Sequence, residues 1–182
     1  MLFRSFQKYA NVNLLGALEK DGAPNVRALA EQATAQNIKL AHDDTWSDIF
    51  SRVLTERVEP NLGIGRITVL DEYPRTEAAL ARASSHDPRV AERFEIYACG
   101  VELANGFGEL TDAREQRVRF ESEMAEKKRR YGETYPLDEE FLAALDHMPP
   151  ASGVALGFDR LVMLATGAPH ISQVLWTPLD TP

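Results

Sequence analysis

Two stretches of this sequence combine residue types that can do chemistry. The first is Glu102–Glu109 (ELANGFGE), where two carboxylates and Asn105 stand among Leu103, Ala104 and Phe107. Carboxylates in a half-apolar strand cost desolvation unless a cation or a donor answers them. Paired carboxylate oxygens, completed by water and phosphate, are how Mg²⁺ is commonly held. Glu102 and Glu109 are seven residues apart, an odd offset that puts them on opposite faces of a regular strand. A bend or bulge at Gly106 or Gly108 would bring them together. The competing reading is an exposed strand face paired with arginines. The second stretch holds Gly153, Gly157 and Arg160. Small residues let a backbone lie close to a flat ligand, and an arginine at a helix start suits phosphate. An ordinary strand-to-helix turn has the same pattern. The histidines at 42, 86, 147 and 170 show no ligand spacing, and no GxSxG, Walker A or HExxH pattern occurs.

The elements that must carry these residues are legible from periodicity. Leu2, Phe3, Phe6 and Tyr9 recur at helical spacing, and Asn25 caps a segment with Val26, Leu29, Ala30 and Ala33 on its apolar face. A stronger helix is expected from Asp44 to about Arg57, with Trp46, Ile49, Phe50, Val53 and Leu54 as its stripe and Pro60 as its stop. After Gly63 and Gly65 the texture becomes that of strands: Arg66–Tyr73, Arg93–Cys99 and Val101–Phe107, the last two forming a hairpin about Gly100. Asp112 and Glu115 form a capping-box pattern for a long helix ending near the basic cluster Lys127–Arg130, which reads as a solvated helix end. Asp138 caps a short helix with Phe141 and Leu145 inward. Gly153–Gly167 is a short strand entering an apolar helix. Helices followed by antiparallel strands with interleaved helices make the chain α+β. The expectation is a single domain over 1–182, helical over 1–62 and sheet-bearing over 63–182.

Composition narrows the function. The 182 residues carry 20 basic and 28 acidic side chains, a net charge of −8, which argues against a chain built chiefly to grip nucleic-acid phosphates. Hydrophobic residues at 44% suffice for a core. The single cysteine, Cys99, excludes an internal disulfide and fits a reducing compartment. No apolar run reaches membrane-span length, and the N-terminus lacks a signal-peptide core. A cytoplasmic protein without membrane attachment is expected.

Two long blocks in order, Glu92–Glu121 (ERFEIYACGVELANGFGELTDAREQRVRFE) and Pro149–Leu179 (PPASGVALGFDRLVMLATGAPHISQVLWTPL), resemble the C-terminal part of a class II lysyl-tRNA synthetase catalytic domain. The resemblance is strongest to the branch that attaches a lysine-type residue to translation elongation factor P. SGVALGFDRLVMLA is similar to motif 3 of class II synthetases, and VEPNLG and HDPRVAERFE extend the likeness back to about Glu59. It implies a partial class II synthetase-like antiparallel sheet flanked by helices, with ATP and Mg²⁺ as cofactors.

The resemblance also implies roles. Glu102 and Glu109 would hold Mg²⁺ at the ATP phosphates, and Glu109 with Asn105 would face the amino acid. Glu102 and Leu103 would border the nucleotide, Gly157 would line its pocket, and Arg160 would contact it as the catalytic arginine. Ala155 stands where lysyl-tRNA synthetases usually have glycine, and its methyl would narrow the amino-acid pocket, as in the elongation-factor branch. The implied partners are lysine or β-lysine and elongation factor P, with tRNA less favoured because no anticodon-binding domain is seen. Motifs 1 and 2 of the family are not found: Phe3–Phe6 (FRSF) matches only the opening of F-R-x-E and lies in a helical stretch. A partial domain of weak ligase activity, with an unpaired sheet edge prone to self-association, is therefore expected. The alternatives are a lysyl-tRNA synthetase remnant and a non-catalytic binding or regulatory module.

Overall fold

The computed structural model describes residues 1–177. The second resembling block runs on to Pro178 and Leu179, which lie outside the described residues.

The first layer is helical. Helix α1 (Leu2–Ser5) continues as a π-helical turn (Phe6–Ala10) and stops where Asn11 turns left-handed. Helix α2 (Val26–Ala35) starts as expected at Asn25, whose side chain accepts from the Ala28 amide at 3.0 Å. Helix α3 (Trp46–Val53) runs on as a π-helical turn (Leu54–Val58) before Pro60. The helix is expected from Asp44, and its cap is Thr45: the Thr45 hydroxyl accepts from the Asp48 amide, and the Asp48 carboxylate answers the Thr45 amide at 2.8 Å. Such a reciprocal box satisfies two otherwise orphaned donors. Asp44 is instead drawn to the Ala41 amide and to Arg52. Phe50 stacks between Phe6 and Trp46, with ring centroids 5.2 and 5.4 Å away.

The second layer is a four-stranded antiparallel sheet, β1 (Thr68–Pro74), β2 (Val90–Ala98), β3 (Val101–Gly108) and β4 (Ser152–Leu156), in the order β1-β2-β3-β4. The expected hairpin about Gly100 is formed, with Cys99 and Gly100 both left-handed, as a two-residue turn requires. Gly63 packs on it so closely that a Cβ would lie 2.5 Å from the Ala98 Cα, and its φ of +73° suits glycine alone. Leu70, Tyr73 and Tyr97 on one sheet face join the helical layer in a common core. Each such buried side chain contributes roughly 1.5–3 kcal/mol.

Helices α4 (Ala113–Tyr131), α5 (Glu139–Leu145) and α6 (Phe158–Thr166) complete the α+β architecture. Asp112 caps α4, but Glu115 turns to Arg119 and Arg75, so the expected box is only half made. The basic cluster is less free than a solvated end. Arg129 and Arg130 both pair with Glu126, and Arg130 also reaches Asp48 at 2.8 Å, tying the end of α4 to the start of α3. Phe141, expected inward, is 38% exposed and leans on Phe120, while Leu142 and Leu145 are buried. The turn of α5 that meets the domain is the one carrying the two leucines. Helix α6 is apolar as expected, yet none of its residues is buried.

Candidate functional site

The site is built on β3, between β2 and β4. Across β2 and β3 the pairs run Arg93↔Phe107, Phe94↔Gly106, Glu95↔Asn105 and Ile96↔Ala104, and then shift to Tyr97↔Glu102. Leu103 is the extra residue. This bulge re-aims Glu102 to the side of Tyr97, the side that also carries Glu95 and Asn105. The odd spacing of Glu102 and Glu109 is thereby offset at Leu103, and not at Gly106 or Gly108, which stay in regular register. Those glycines serve packing instead: a Cβ on Gly106 would lie 2.4 Å from the Phe94 ring.

Strand β4 extends the same face, with Ala155 beside Asn105 and Gly153 beside Phe107. The Glu109 carboxylate lies over Gly153, where a Cβ would come within 2.8 Å of its Oε1. Register therefore puts Glu102, Asn105, Glu109 and Ala155 on one side of the sheet. Leu103 is buried, and its carbonyl accepts from the Gly157 amide at 2.8 Å, which fixes the start of α6 against β3. From the first turn of α6, Arg160 donates through Nη1 to the Glu102 carbonyl at 2.7 Å and approaches its carboxylate at 3.4 Å.

The residues not anticipated from the sequence lie beside this row, on the same face of the sheet. Glu95 is only 6% exposed and is held by Arg93 Nη2 and by the Tyr97 hydroxyl, each at 2.7 Å. Tyr97 also meets Glu59 at 3.1 Å. Burial raises the Glu59 carboxyl above its ordinary value, the Tyr97 hydroxyl opposes the rise, and the charges of Glu95 and Glu102 add to it. Burial also raises the Tyr73 and Tyr97 hydroxyls above their ordinary value. The sequence signal for this network was the alternation Arg93, Glu95, Tyr97: three polar-tipped residues on the buried side of a strand.

Acidic groups thus line the middle of the face, and a guanidinium stands at a helix start at its end. That polarity suits a cation beside a polyphosphate. Among the described residues no group of three or more histidine, cysteine, aspartate or glutamate side chains converges for a metal. A cation here would complete its shell with water or phosphate oxygens, the habit of Mg²⁺.

Residues 23–181 match the family model for class II tRNA synthetases (D, K and N). The elongation factor P–(R)-β-lysine ligase of Klebsiella pneumoniae strain 342 is 42% identical over 178 residues, 97% of this chain and 53% of that protein. The ligase of the same name from Proteus mirabilis strain HI4320 is 42% identical over 177 residues, again 97% and 53%. The chain spans about half the length of these relatives. With the family model covering most of the sequence and the sheet and motif-3-like turn in place, the chain belongs to the class II tRNA synthetase (D, K and N) family.

Proposed function

We propose that this chain carries one half of a site for ATP-dependent activation of a lysine-type amino acid, destined for elongation factor P. The observation that carries the reading is the single extra residue in β3, which aligns Glu102 with Asn105, Ala155 and Glu109 while Arg160 stands beside Glu102. In the proposed reaction an oxygen of the amino-acid carboxylate bonds to the α-phosphorus of ATP. The bond to the β-phosphate bridge oxygen breaks, and pyrophosphate leaves with its electron pair. Glu102 and Glu109 would hold Mg²⁺, which supplies positive charge to the phosphates when bound. Arg160 binds phosphate or nucleotide at the start of α6, Leu103 and Gly157 border the nucleotide, and Asn105 and Ala155 orient the amino acid. Leu103 is buried, and its carbonyl holds the Gly157 amide, which fixes the start of α6 against β3.

Both relatives are (R)-β-lysine ligases by name, which favours β-lysine or lysine as substrate and elongation factor P as acceptor over tRNA. The lone Cys99 accords with a cytoplasmic location, and no helix of the described residues is long and apolar enough to cross a membrane. The chain by itself is a weak ligase. Arg160 lies at one end of the proposed triphosphate site, while Arg93 is committed to Glu95 and to the Glu77 carbonyl. Losing one preorganised charge stabiliser typically costs about 10²–10³ in rate. Strand β4 is exposed along its whole length, with Val154 and Leu156 uncovered, which supports self-association.

The test is lysine- and (R)-β-lysine-dependent ATP–pyrophosphate exchange by the purified chain, followed by acceptor assays with elongation factor P and tRNA. Weak nucleotide binding with negligible exchange is expected. Robust exchange by a homogeneous monomer would show that this half-site is sufficient, and absence of any nucleotide binding would remove the reading.

A further inference from the structure

The side chain of Arg93 is held more firmly than a strand arginine needs for stability alone. Its Nη1 donates to the Glu77 carbonyl at 2.6 Å and its Nη2 to Glu95 at 2.7 Å. Its guanidinium lies over the Tyr73 ring, 4.4 Å from the centroid, with the Phe107 ring 5.9 Å away on the same sheet face. A planar fork tied at two nitrogens and stacked on an aromatic ring has little freedom left. The remaining Nε–H points at Asn105 and donates to its Oδ1 at 3.4 Å.

That contact decides the polarity of the Asn105 amide. An asparagine side chain can present either its carbonyl or its two N–H donors, and the hydrogen-bond network sets which. With Oδ1 claimed by Arg93, the Nδ2 donors are what Asn105 has left to offer. The bond is long, so it orients more than it stabilises. We infer that Arg93 is a positioning residue: it fixes the Asn105 amide so that donors, and not the carbonyl, face the ligand beside Ala155. Asn105 then selects an oxygen of the ligand and turns away an ammonium. The inference rests on Asn105 meeting the amino acid, as in the proposed function.

Arg93→Lys is the informative change. A lysine retains a positive charge near Glu95, so the buried carboxylate keeps a counter-charge and the fold survives. A single ammonium cannot also reach Asn105 in the guanidinium's geometry. Arg93→Gln would strand the Glu95 charge and risks unfolding. The first readout needs no ligand: the ¹⁵N side-chain amide resonances of Asn105, assigned by their loss in Asn105→Ser. In the wild-type chain they should be sharp and rigid, and in Arg93→Lys they should average toward free asparagine. An Asn105 amide equally rigid in both proteins overturns the inference.

The second readout is titration with L-lysine and, separately, with Mg·ATP. Arg93→Lys should weaken lysine binding about tenfold or more and leave Mg·ATP binding unchanged, because Arg160 is anchored on β3 and α6. A parallel loss of both affinities would mean general damage to the face and would also overturn the inference. A wild-type chain with a rigid Asn105 amide that does not respond to lysine refutes the placement of the amino acid at Asn105. That outcome is distinct, because the Arg93–Asn105 coupling is then still judged by the first readout.

Discussion

Arg160 is bonded to the backbone of the very residue whose carboxylate it approaches: its Nη1 lies 2.7 Å from the Glu102 carbonyl and 3.4 Å from the Glu102 carboxylate. The backbone bond positions the guanidinium at the start of α6 in the absence of ligand. Both side chains are well exposed, so the pair itself adds little to stability. Arg160→Ala should therefore weaken Mg·ATP binding by tenfold or more with a thermal midpoint close to the wild type. Calorimetric titration and a melting curve on the same sample check both halves.

Glu109 and Gly153 make a second pair. The glycine leaves the space into which the Glu109 carboxylate extends, and a methyl there would come within 2.8 Å of Oε1. Gly153→Ala should displace the carboxylate and weaken Mg²⁺-dependent ATP binding while the sheet stays intact. Glu109→Gln, which removes charge at nearly constant volume, should do the same. If either variant unfolds the chain and nucleotide binding by the folded fraction is unaltered, Glu109 has a structural role only.

Gly106→Ala should behave in the opposite way. Its Cβ would meet the Phe94 ring at 2.4 Å and the Gly153 carbonyl at 3.0 Å, with strand backbone on one side unable to yield. Overpacking of this kind costs about 1–3 kcal/mol. Urea unfolding should show a lower midpoint with an unchanged slope.

The pH dependence has two limbs of opposite sign. Arg130 and Thr45 hold the Asp48 carboxyl well below its ordinary value of 3.8. A carboxyl depressed in the folded state contributes stability above its unfolded value, and that stability is lost as pH falls below it. Asp48→Asn should flatten the acid limb of the thermal midpoint curve below about pH 4. Glu59 is raised, so its contribution is present at low pH and is lost as pH climbs through its folded value. Glu59→Gln should remove that second decline. Midpoints recorded from acid to neutral pH for both variants test the assignment, and superimposable curves would refute it.

The local order of the chain was readable without coordinates because it depends on neighbours in sequence. The cap at Asn25, the hairpin about Gly100 and the strand-to-helix turn before Arg160 all follow from side-chain chemistry and spacing. So did the choice of Glu102, Asn105, Glu109 and Arg160 as residues worth attention, while the class II synthetase character of the two long blocks was legible as a resemblance. Which face each residue occupies was not readable, since it depends on how strands pair. Only the assembled sheet put the extra residue at Leu103 rather than at a glycine and so moved Glu102 beside Asn105. The buried chain of Glu59, Tyr97, Glu95 and Arg93 was equally hidden, because it joins groups distant in sequence. A period of two assigns residues to alternating sides; the register of one strand against the next, fixed by packing, determines where that alternation breaks.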